Sequence, residues 1–312
     1  MKKIRIGFFK KPQGIFTPEL IKAITSELKS FPNIELFTDL DFRKAYIKNG
    51  HAYIEDFDLN TLDIYFWHDT IKPADWGSDN YALNVLRALE NNCLVINSSE
   101  STRIVNDKYL AHTTLKRANL PVADFALVTA SDKAALQRVF TDFNSAVLIK
   151  PRFGGWGAGI IKISSLNDLF DQVELLLSFT SNQNQQILLE KYYPNDLSKW
   201  ISVVVLGDKI LFGYKKSIMR ESDWKICDPD KKDGRGLFSE YINPPNHLKE
   251  IALHAKRAIG KDIICFDFIH TQDGYKIVDE NGRPGLYAHC LKKANIDIKK
   301  EIINLILSKI EK

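Results

Sequence analysis

Short apolar runs alternate with amphipathic stretches over the first hundred residues of the chain. Three of the apolar runs have the length of a buried strand: residues 4–9, 63–67 and 94–97. Thr17 offers an N-cap hydroxyl and Pro18 suits the first helical turn, so a helix is predicted to begin there. A second helix is predicted over residues 81–90. This alternation predicts an α/β domain whose sheet is mainly parallel.

From about residue 103 the pattern changes to α+β. Strands are predicted at residues 125–129, 146–151, 159–163, 187–190, 201–206, 209–214, 263–270 and 275–279. Helices are predicted at residues 107–118, 131–143 (with Ser131 as the cap), 165–177 and 247–260, and through Ile302, Ile306 and Ile310. The polar segment 220–236 is longer than an ordinary connection and is typical of a lid or a disordered loop. We divide the chain into residues 1–102, 103–190 and 191–312.

Composition and charge exclude several classes of protein. The 312 residues are 45% hydrophobic and 26% charged, which is typical of a soluble globular protein. A net charge of +4 is too small to indicate a nucleic-acid or membrane surface, so neither partner is expected. The four cysteines form no CxxC pair and are interpreted as reduced, structural thiols. The sequence shows neither a secretory signal nor an apolar stretch of ~20 residues, so a cytoplasmic protein is expected.

A glycine-rich loop lies between two of the predicted strands. Its members are Gly154, Gly155, Trp156, Gly157 and Gly159. Glycines let consecutive backbone N–H groups turn toward one anion, and such a nest binds phosphate oxygens. An ordinary hairpin turn is the alternative interpretation. Lys150 ends the strand that enters the loop, and an ammonium at that position favours phosphate binding.

A second group of polar residues lies far downstream, on two predicted strands. Asp267 alternates with two phenylalanines, and Asp279 and Asn281 are two residues apart, so each strand presents its oxygen ligands on one face. Glu280 is expected to face away unless the strand bulges. Three oxygen ligands on neighbouring strands suit Mg²⁺. Turn capping by Asp and Asn is the alternative interpretation.

Taken in order, these motifs resemble the ATP-grasp enzymes, and in particular the branch of ribosomal-protein glutamate ligases, glutathione synthetases and D-alanine ligases. The chain has neither the GK[ST] of a P-loop nor the HRD and DFG motifs of a protein kinase. The resemblance extends from about Ser98 to Leu286. It implies an N-terminal α/β domain followed by an ATP-grasp fold, in which two α+β subdomains clamp ATP.

The resemblance also assigns cofactor residues. Two segments, NDKYLAHTTLKRANLPVADF and LIKPRFGGWGAGI, resemble those that carry the family's two nucleotide lysines. LLEKYY resembles the hinge that contacts adenine, and FDF and VDENGRPG resemble the metal-binding strands. Nucleotide binding is thereby assigned to the glycine-rich loop, Lys108, Lys150, Glu190, Lys191 and Tyr192, and metal binding to Asp267, Asp279 and Asn281. The implied cofactors are ATP and Mg²⁺, with Mn²⁺ as a substitute.

The reaction implied by the resemblance joins a small-molecule carboxylate to the amine of an amino acid or a peptide. It passes through an acyl phosphate and releases ADP and phosphate. Lys215, Arg235 and Arg283 are the candidates for holding the phosphoryl group or the substrate carboxylate. Residues 199–202 read KWIS where the glutamate-ligase branch has an Asp and an Arg, so the family's ribose contact is not carried over. Because dimers are common in the family, a homodimer is a further expectation.

Two other functions fit the same motifs. An ATP-grasp phosphotransferase would use the same ATP and metal site but pass the phosphoryl group to a hydroxyl. A nucleotide-binding protein without catalysis is the other alternative, although all the predicted metal ligands and both lysines are present. His112, His254 and His289 show no ligand spacing and are predicted to be structural.

Overall fold

The computed structural model describes residues 3–9, 16–68, 80–130, 132–155, 157–178, 186–217 and 238–310. The predictions made for Ser131, Trp156, Arg235 and the segment 220–236 concern positions outside these ranges. Cys93, Cys265 and Cys290 lie within them, and each is a buried free thiol. None of the helices in the described ranges is long and apolar enough to cross a membrane.

The N-terminal part contains a parallel sheet of four strands and a smaller antiparallel sheet. Its elements are β1 (Ile4–Phe9), α1 (Pro18–Leu28), β2 (Ile34–Leu40), β3 (Tyr46–Lys48), β4 (His51–Ile54), β5 (Phe57–Asp58), β6 (Ile64–Phe66), α2 (Tyr81–Leu89) and β7 (Leu94–Ile96). The parallel sheet has the order β2-β1-β6-β7, which confirms the predicted α/β pattern. Thr17 caps α1 through its hydroxyl, and Pro18 occupies the first turn as predicted.

The middle part is an antiparallel sheet flanked by helices. Its elements are α3 (Ser99–Asn106), α4 (Lys108–Arg117), β8 (Phe125–Thr129), α5 (Lys133–Asp142), β9 (Val147–Lys150), β10 (Ile161–Ile163), α6 (Leu166–Ser178) and β11 (Gln186–Lys191). The strand order is β10-β9-β11-β8. Ile149 and Leu189 pack with residues of α5 and α6, so by alternation Lys150 and Glu190 project from the other face. Asp132 caps α5, one residue after the predicted cap.

The C-terminal part is a five-stranded antiparallel sheet. Its elements are β12 (Ile201–Leu206), β13 (Lys209–Ser217), β14 (Phe238–Ile242), α7 (Asn246–Ile259), β15 (Ile263–Thr271), β16 (Gly274–Asn281), α8 (Ala288–Lys293) and α9 (Ile298–Ile310). The order is β14-β13-β12-β15-β16. Phe266 and Phe268 belong to the core beneath α7, whereas Cys265 belongs to a core shared with α9 and the N-terminal sheet. Asp267 follows the alternation of Cys265 and therefore projects from that second face.

Candidate active site

The predicted metal ligands lie on two neighbouring strands, β15 and β16. Asp267 is directly opposite Asp279, and Cys265 is opposite Asn281. Residues two apart on a strand share a face, so the three oxygen-bearing side chains belong to one side of the sheet. Phe268 pairs with Ile277, which leaves one extra residue in β16 as a bulge immediately before Asp279.

Glu280 lies opposite Phe266 and therefore on the other side of the sheet, in agreement with the alternation expected from the sequence. Its carboxyl group is buried and forms no hydrogen bond with any described residue. Burial, followed by the neighbouring Asp279, raises the pKa of Glu280 to about 8. This residue is thus not grouped with the metal ligands, although it lies between two of them in sequence.

Asp267 accepts hydrogen bonds from two donors, one on β12 and one on β13. Ser202 on β12 donates its hydroxyl at 2.6 Å, and Lys216 on β13 donates its ammonium at 2.6 Å. The strand register explains why Lys216, and not Lys215, contacts Asp267. Ser202 is paired with both Asp267 and Tyr214, and Lys216, two residues after Tyr214, lies on the same face of the sheet. The sequence prediction selected Lys215, whose side chain projects from the other face by alternation.

Asp279 forms an ion pair with the first residue of α4. Lys108 Nζ lies 2.5 Å from Asp279 Oδ1. Asp107 fixes the start of this helix by accepting hydrogen bonds from the amides of Tyr109 and Leu110. Burial alone would raise the pKa of Asp279, but Lys108 and then Lys150 hold it down at about 2. The carboxylate is therefore ionised throughout the physiological range.

Lys150 ends β9 and pairs with Glu190 on the adjacent strand β11. The ammonium nitrogen lies 2.7 Å from one carboxylate oxygen and 2.8 Å from the other, and it also donates to the carbonyl of Val278 at 3.1 Å. Both side chains are more than nine-tenths buried. Burial raises the pKa of Glu190 despite the attraction of Lys150. The pair connects the middle sheet to the bulge that precedes Asp279.

The glycine-rich loop begins at Gly154, shortly after Lys150. Gly154, Gly157 and Gly159 have positive φ angles of 143°, 68° and 73°. A Cβ at Gly159 would lie 2.8 Å from Pro151 Cγ, so this position requires glycine on two grounds. The loop is also joined to the start of α4, because the Lys108 amide donates to the Arg152 carbonyl at 3.0 Å. Both nucleotide lysines predicted from the sequence therefore lie at the base of this loop.

Three carboxylates of the site are each paired with a lysine. The three pairs are Lys108–Asp279, Lys150–Glu190 and Lys216–Asp267. Among the described residues no cluster of three or more His, Cys, Asp or Glu side chains could hold a metal ion alone. Two carboxylates and the Asn281 amide instead make a sparse oxygen set, and Mg²⁺ suits such a set because it retains water and phosphate ligands.

The RimK-like ATP-grasp domain matches residues 105–306, which is more than half of the chain. The chain belongs to this family. The glutamate–LysW ligase ArgX of Sulfolobus acidocaldarius is 23% identical over 238 residues, covering 76% of this chain and 80% of the relative. A tetrahydromethanopterin:alpha-L-glutamate ligase of Methanocaldococcus jannaschii is 24% identical over 276 residues, covering 88% and 87%.

Solved structures agree with this fold. The ATP-grasp ligase PsnB in complex with a minimal precursor, Mg and ADP superimposes with a TM-score of 0.64 at 15% identity, covering 99% of this chain and 98% of PsnB. D-alanyl-alanine synthetase A from Vibrio cholerae gives a TM-score of 0.63 at 13% identity, with complete coverage of both chains. The predicted ATP-grasp fold and the prediction of a ligase that forms C–N bonds are confirmed, and such ligases use ATP.

The adenine hinge expected in this ATP-grasp chain has its backbone donors already engaged. The Lys191 amide donates to the Asp124 carbonyl at 2.8 Å, and the Tyr192 amide donates to the Ala146 carbonyl at 2.9 Å. Neither amide is thus free to bind a base. Nucleotide contacts from these two residues would have to come from their carbonyl groups or side chains.

A small apolar cluster lies beside the hinge and was not found from the sequence. It consists of Ala123, Tyr193, Ile269 and Val278, with Trp200 packed against it. Trp200 lies in the stretch where the glutamate-ligase branch has an Asp and an Arg, and its indole nitrogen is buried without a partner among the described residues. The only sequence signal was the departure from the family pattern at residues 199–202.

Arg283 follows β16 and lies near the N-terminal part, where burial, followed by Lys261 and Arg283, lowers the pKa of His68 to about 3. The loop that carries it is closely packed, because a Cβ at Gly282 would lie 2.9 Å from Val105 Cγ1. Arg235 lies outside the described residues. The roles of Lys215, Arg235 and Arg283 in substrate binding stay predictions.

Proposed function

We propose that this protein is an ATP- and Mg²⁺-dependent ligase that activates a carboxylate as an acyl phosphate and joins it to an amine. The observation that carries the proposal is a set of three lysine–carboxylate pairs, of which Lys150–Glu190 is buried and the other two are partly buried. Lysines that neutralise carboxylates can instead neutralise phosphate when a cation takes over the carboxylates. Family membership supports ATP as the source of the phosphoryl group.

Asp267, Asp279 and Asn281 would hold Mg²⁺, or Mn²⁺ as a substitute, which supplies charge neutralisation at the terminal phosphates. Lys108 and Lys150 would then turn from Asp279 and Glu190 to phosphate oxygens. The backbone N–H groups of the glycine-rich loop would complete the phosphate contacts. Catalysis in this scheme consists of positioning and electrostatic stabilisation, as is general for phosphoryl transfer.

Lys216 would release Asp267 in the same exchange and face the transferred phosphoryl group or the substrate carboxylate. Arg283, just beyond Asn281, is the proposed second cation. We propose an amino acid or a peptide as the amine substrate. Glutamate is the first amino acid to try, because the names of two relatives specify it.

The test is ATP turnover with Mg²⁺ in the presence of pooled carboxylates and amines, with glutamate among them. ADP and free phosphate that appear only when both substrate types are present would support the ligase. ADP with a phosphorylated acceptor and no free phosphate would instead identify a phosphotransferase. AMP as the product would overturn the acyl-phosphate route.

Three expectations stay predictions of the sequence: the division into residues 1–102, 103–190 and 191–312, the homodimer and the cytoplasmic location. Light scattering after size-exclusion chromatography would measure the mass in solution. A mass twice that of the 35.7 kDa chain would support the homodimer.

A further inference from the structure

His112 is buried within the nucleotide site without a hydrogen bond. Its side chain is fully buried, and neither ring nitrogen has a partner among the described residues. Nε2 lies 3.7 Å from Glu190 Oε2 and 3.8 Å from Glu280 Oε1. An N–H···O hydrogen bond requires about 2.7–3.2 Å, so the imidazole faces two carboxyl groups and reaches neither. Buried polar groups left in this condition reduce folding stability, and their retention calls for an explanation.

The position of His112 connects the groups of the site. It follows Lys108 by one helical turn, so both side chains lie on the same face of α4. Glu280 is adjacent to Asp279 on β16, and Glu190 is the partner of Lys150. The ring is oriented by stacking on Phe125, with ring centroids 5.4 Å apart and an angle of 29° between the planes. A small rotation of the imidazole would bring Nε2 to either carboxyl group.

The imidazole is neutral, because burial, followed by Lys150 and Lys108, lowers the pKa of His112 to about 3. A neutral imidazole has a single N–H donor. Glu190 accepts hydrogen bonds, and the tautomer that carries its proton on Nε2 is the one that can donate to it.

Glu190 depends on Lys150 in this structure. If the Lys150 ammonium turned to a phosphate, Glu190 would be left buried without its ion partner, which is costly. His112 Nε2, at 3.7 Å, is a donor that could replace the ammonium. Among the described residues, the basic side chains in contact with the Glu190 carboxylate are those of Lys150 and His112.

We propose that His112 is a positioning residue, which donates its Nε2 hydrogen to Glu190 when a nucleotide draws Lys150 away. The exchange keeps the Glu190 carboxylate fixed while Lys150 changes its partner. This inference rests on the nucleotide site of the proposed function.

The test uses two substitutions of the same side chain. His112→Phe keeps the stack on Phe125 but removes both ring nitrogens, and His112→Gln supplies an amide N–H. His270→Phe is the matched control, since this histidine also contacts an aromatic ring, that of Tyr275 at 4.8 Å, away from the nucleotide groups. The affinity for Mg·ADP is measured by calorimetry, the KM for ATP and the kcat by turnover, and the melting temperature by calorimetry.

The expected result for His112→Phe is a melting temperature equal to or above that of the wild type. The dissociation constant for Mg·ADP and the KM for ATP should rise by about tenfold, the size of one hydrogen bond to a charged group. kcat should fall much less. His112→Gln should recover at least half of the lost affinity on a logarithmic scale, and His270→Phe should bind like the wild type.

Wild-type affinity in His112→Phe would overturn the inference, as would a His112→Gln protein that binds no better than His112→Phe. If His112→Phe does not fold, His112→Met replaces it, and equal affinity in the Met and Gln variants again overturns the inference. A wild-type protein that does not bind Mg·ADP would instead defeat the proposed nucleotide site itself.

Discussion

At the scale of single residues, the site is organised by buried and partly buried ion pairs. Lys150 and Glu190 are the most enclosed of these, with less than a tenth of either side chain exposed. A buried pair of this kind is weak support for stability, because desolvation offsets most of the attraction. Its retention is better explained by the need for a lysine that can leave its carboxylate for a phosphate.

This explanation separates stability from activity. Lys150→Ala should abolish turnover and lower the free energy of unfolding by about 3 kcal/mol, because it leaves Glu190 buried and unpaired. The double variant Lys150→Met with Glu190→Leu should regain that stability in urea titrations but no activity. A double variant that turns over ATP would contradict the role given to this lysine.

Lys216 and Lys215 provide a second comparison between adjacent residues. Of these two lysines, it is Lys216 that contacts Asp267, at 2.6 Å. Lys216→Ala should therefore reduce kcat by about 100-fold, the usual effect of removing one electrostatic contact to the reacting group. Lys215→Ala should stay within about threefold of the wild type, as a substitution outside the reacting groups. Steady-state kinetics on both variants would decide the matter, and the opposite order would restore the choice made from the sequence.

At the scale of elements, the glycine-rich loop combines two constraints on its backbone. Gly159→Ala should lower the free energy of unfolding by about 1–2 kcal/mol, because a left-handed φ of 73° is strained for any residue with a Cβ. The added methyl would also meet Pro151 at 2.8 Å. Gly155→Ala is the matched control for strain, since its Cβ would meet nothing within 4 Å.

Thermal denaturation and the KM for ATP are measured on both loop variants. A Gly155→Ala protein with wild-type stability and a raised KM would support the approach of phosphate to this backbone. Equal melting temperatures for Gly159→Ala and the wild type would mean that the loop does not hold the described conformation.

The elements that the sequence predicted are those with strong local signals. Thr17 with Pro18 marks the start of α1 through its own side chain and ring, and neither signal depends on the rest of the fold. The sheet β3-β4-β5 was missed because its strands contain only two to four residues, too few for a period to be recognised. Asp132 was missed as the cap of α5 because Ser131 is an equally good capping residue by type.

The parts of the site that the sequence did not reveal depend on pairing between distant strands. Choosing Lys216 over Lys215 requires the register of β12 with both β13 and β15, which residue types alone do not fix. His112 was predicted to be structural because its carboxyl neighbours lie on β11 and β16, far away in the chain. Asp267, Asp279 and Asn281 could be grouped in advance, because two-residue spacing and a recognisable motif specify their faces.

At the scale of the whole molecule, the N-terminal sheet and the C-terminal sheet share one hydrophobic core. A buried lysine, Lys261, lies at their junction, close to Gly282 just after β16. Lys261 Nζ donates to the Thr102 hydroxyl at 3.0 Å and lies 5.9 Å from the centre of the Trp67 ring. Its Cε would be 3.1 Å from a Cβ placed on Gly282. Trp67, Thr102 and Gly282, from three different segments of the chain, thus pack around the Lys261 side chain.

Burial lowers the pKa of Lys261 from 10.5 to about 7. Between these two pH values the unfolded chain binds more protons at this site than the folded protein does, so this residue makes folding stability rise with pH. The slope is at most about 1.4 kcal/mol per pH unit. Lys261→Met removes the titrating group and keeps the apolar stem, so the variant should be the more stable protein at pH 7.

Urea titrations at pH 7, 8 and 9 measure this difference directly. The advantage of Lys261→Met over the wild type should shrink by roughly 1 kcal/mol with each pH unit, because removing the proton that the unfolded lysine carries costs less as the pH approaches its pKa of 10.5. Both proteins share every other titrating group, so those contributions cancel in the difference. Parallel stability curves would mean that Lys261 keeps its charge in the folded protein, with Thr102 and the neighbouring Asp262 sufficient to hold an ammonium between the two sheets.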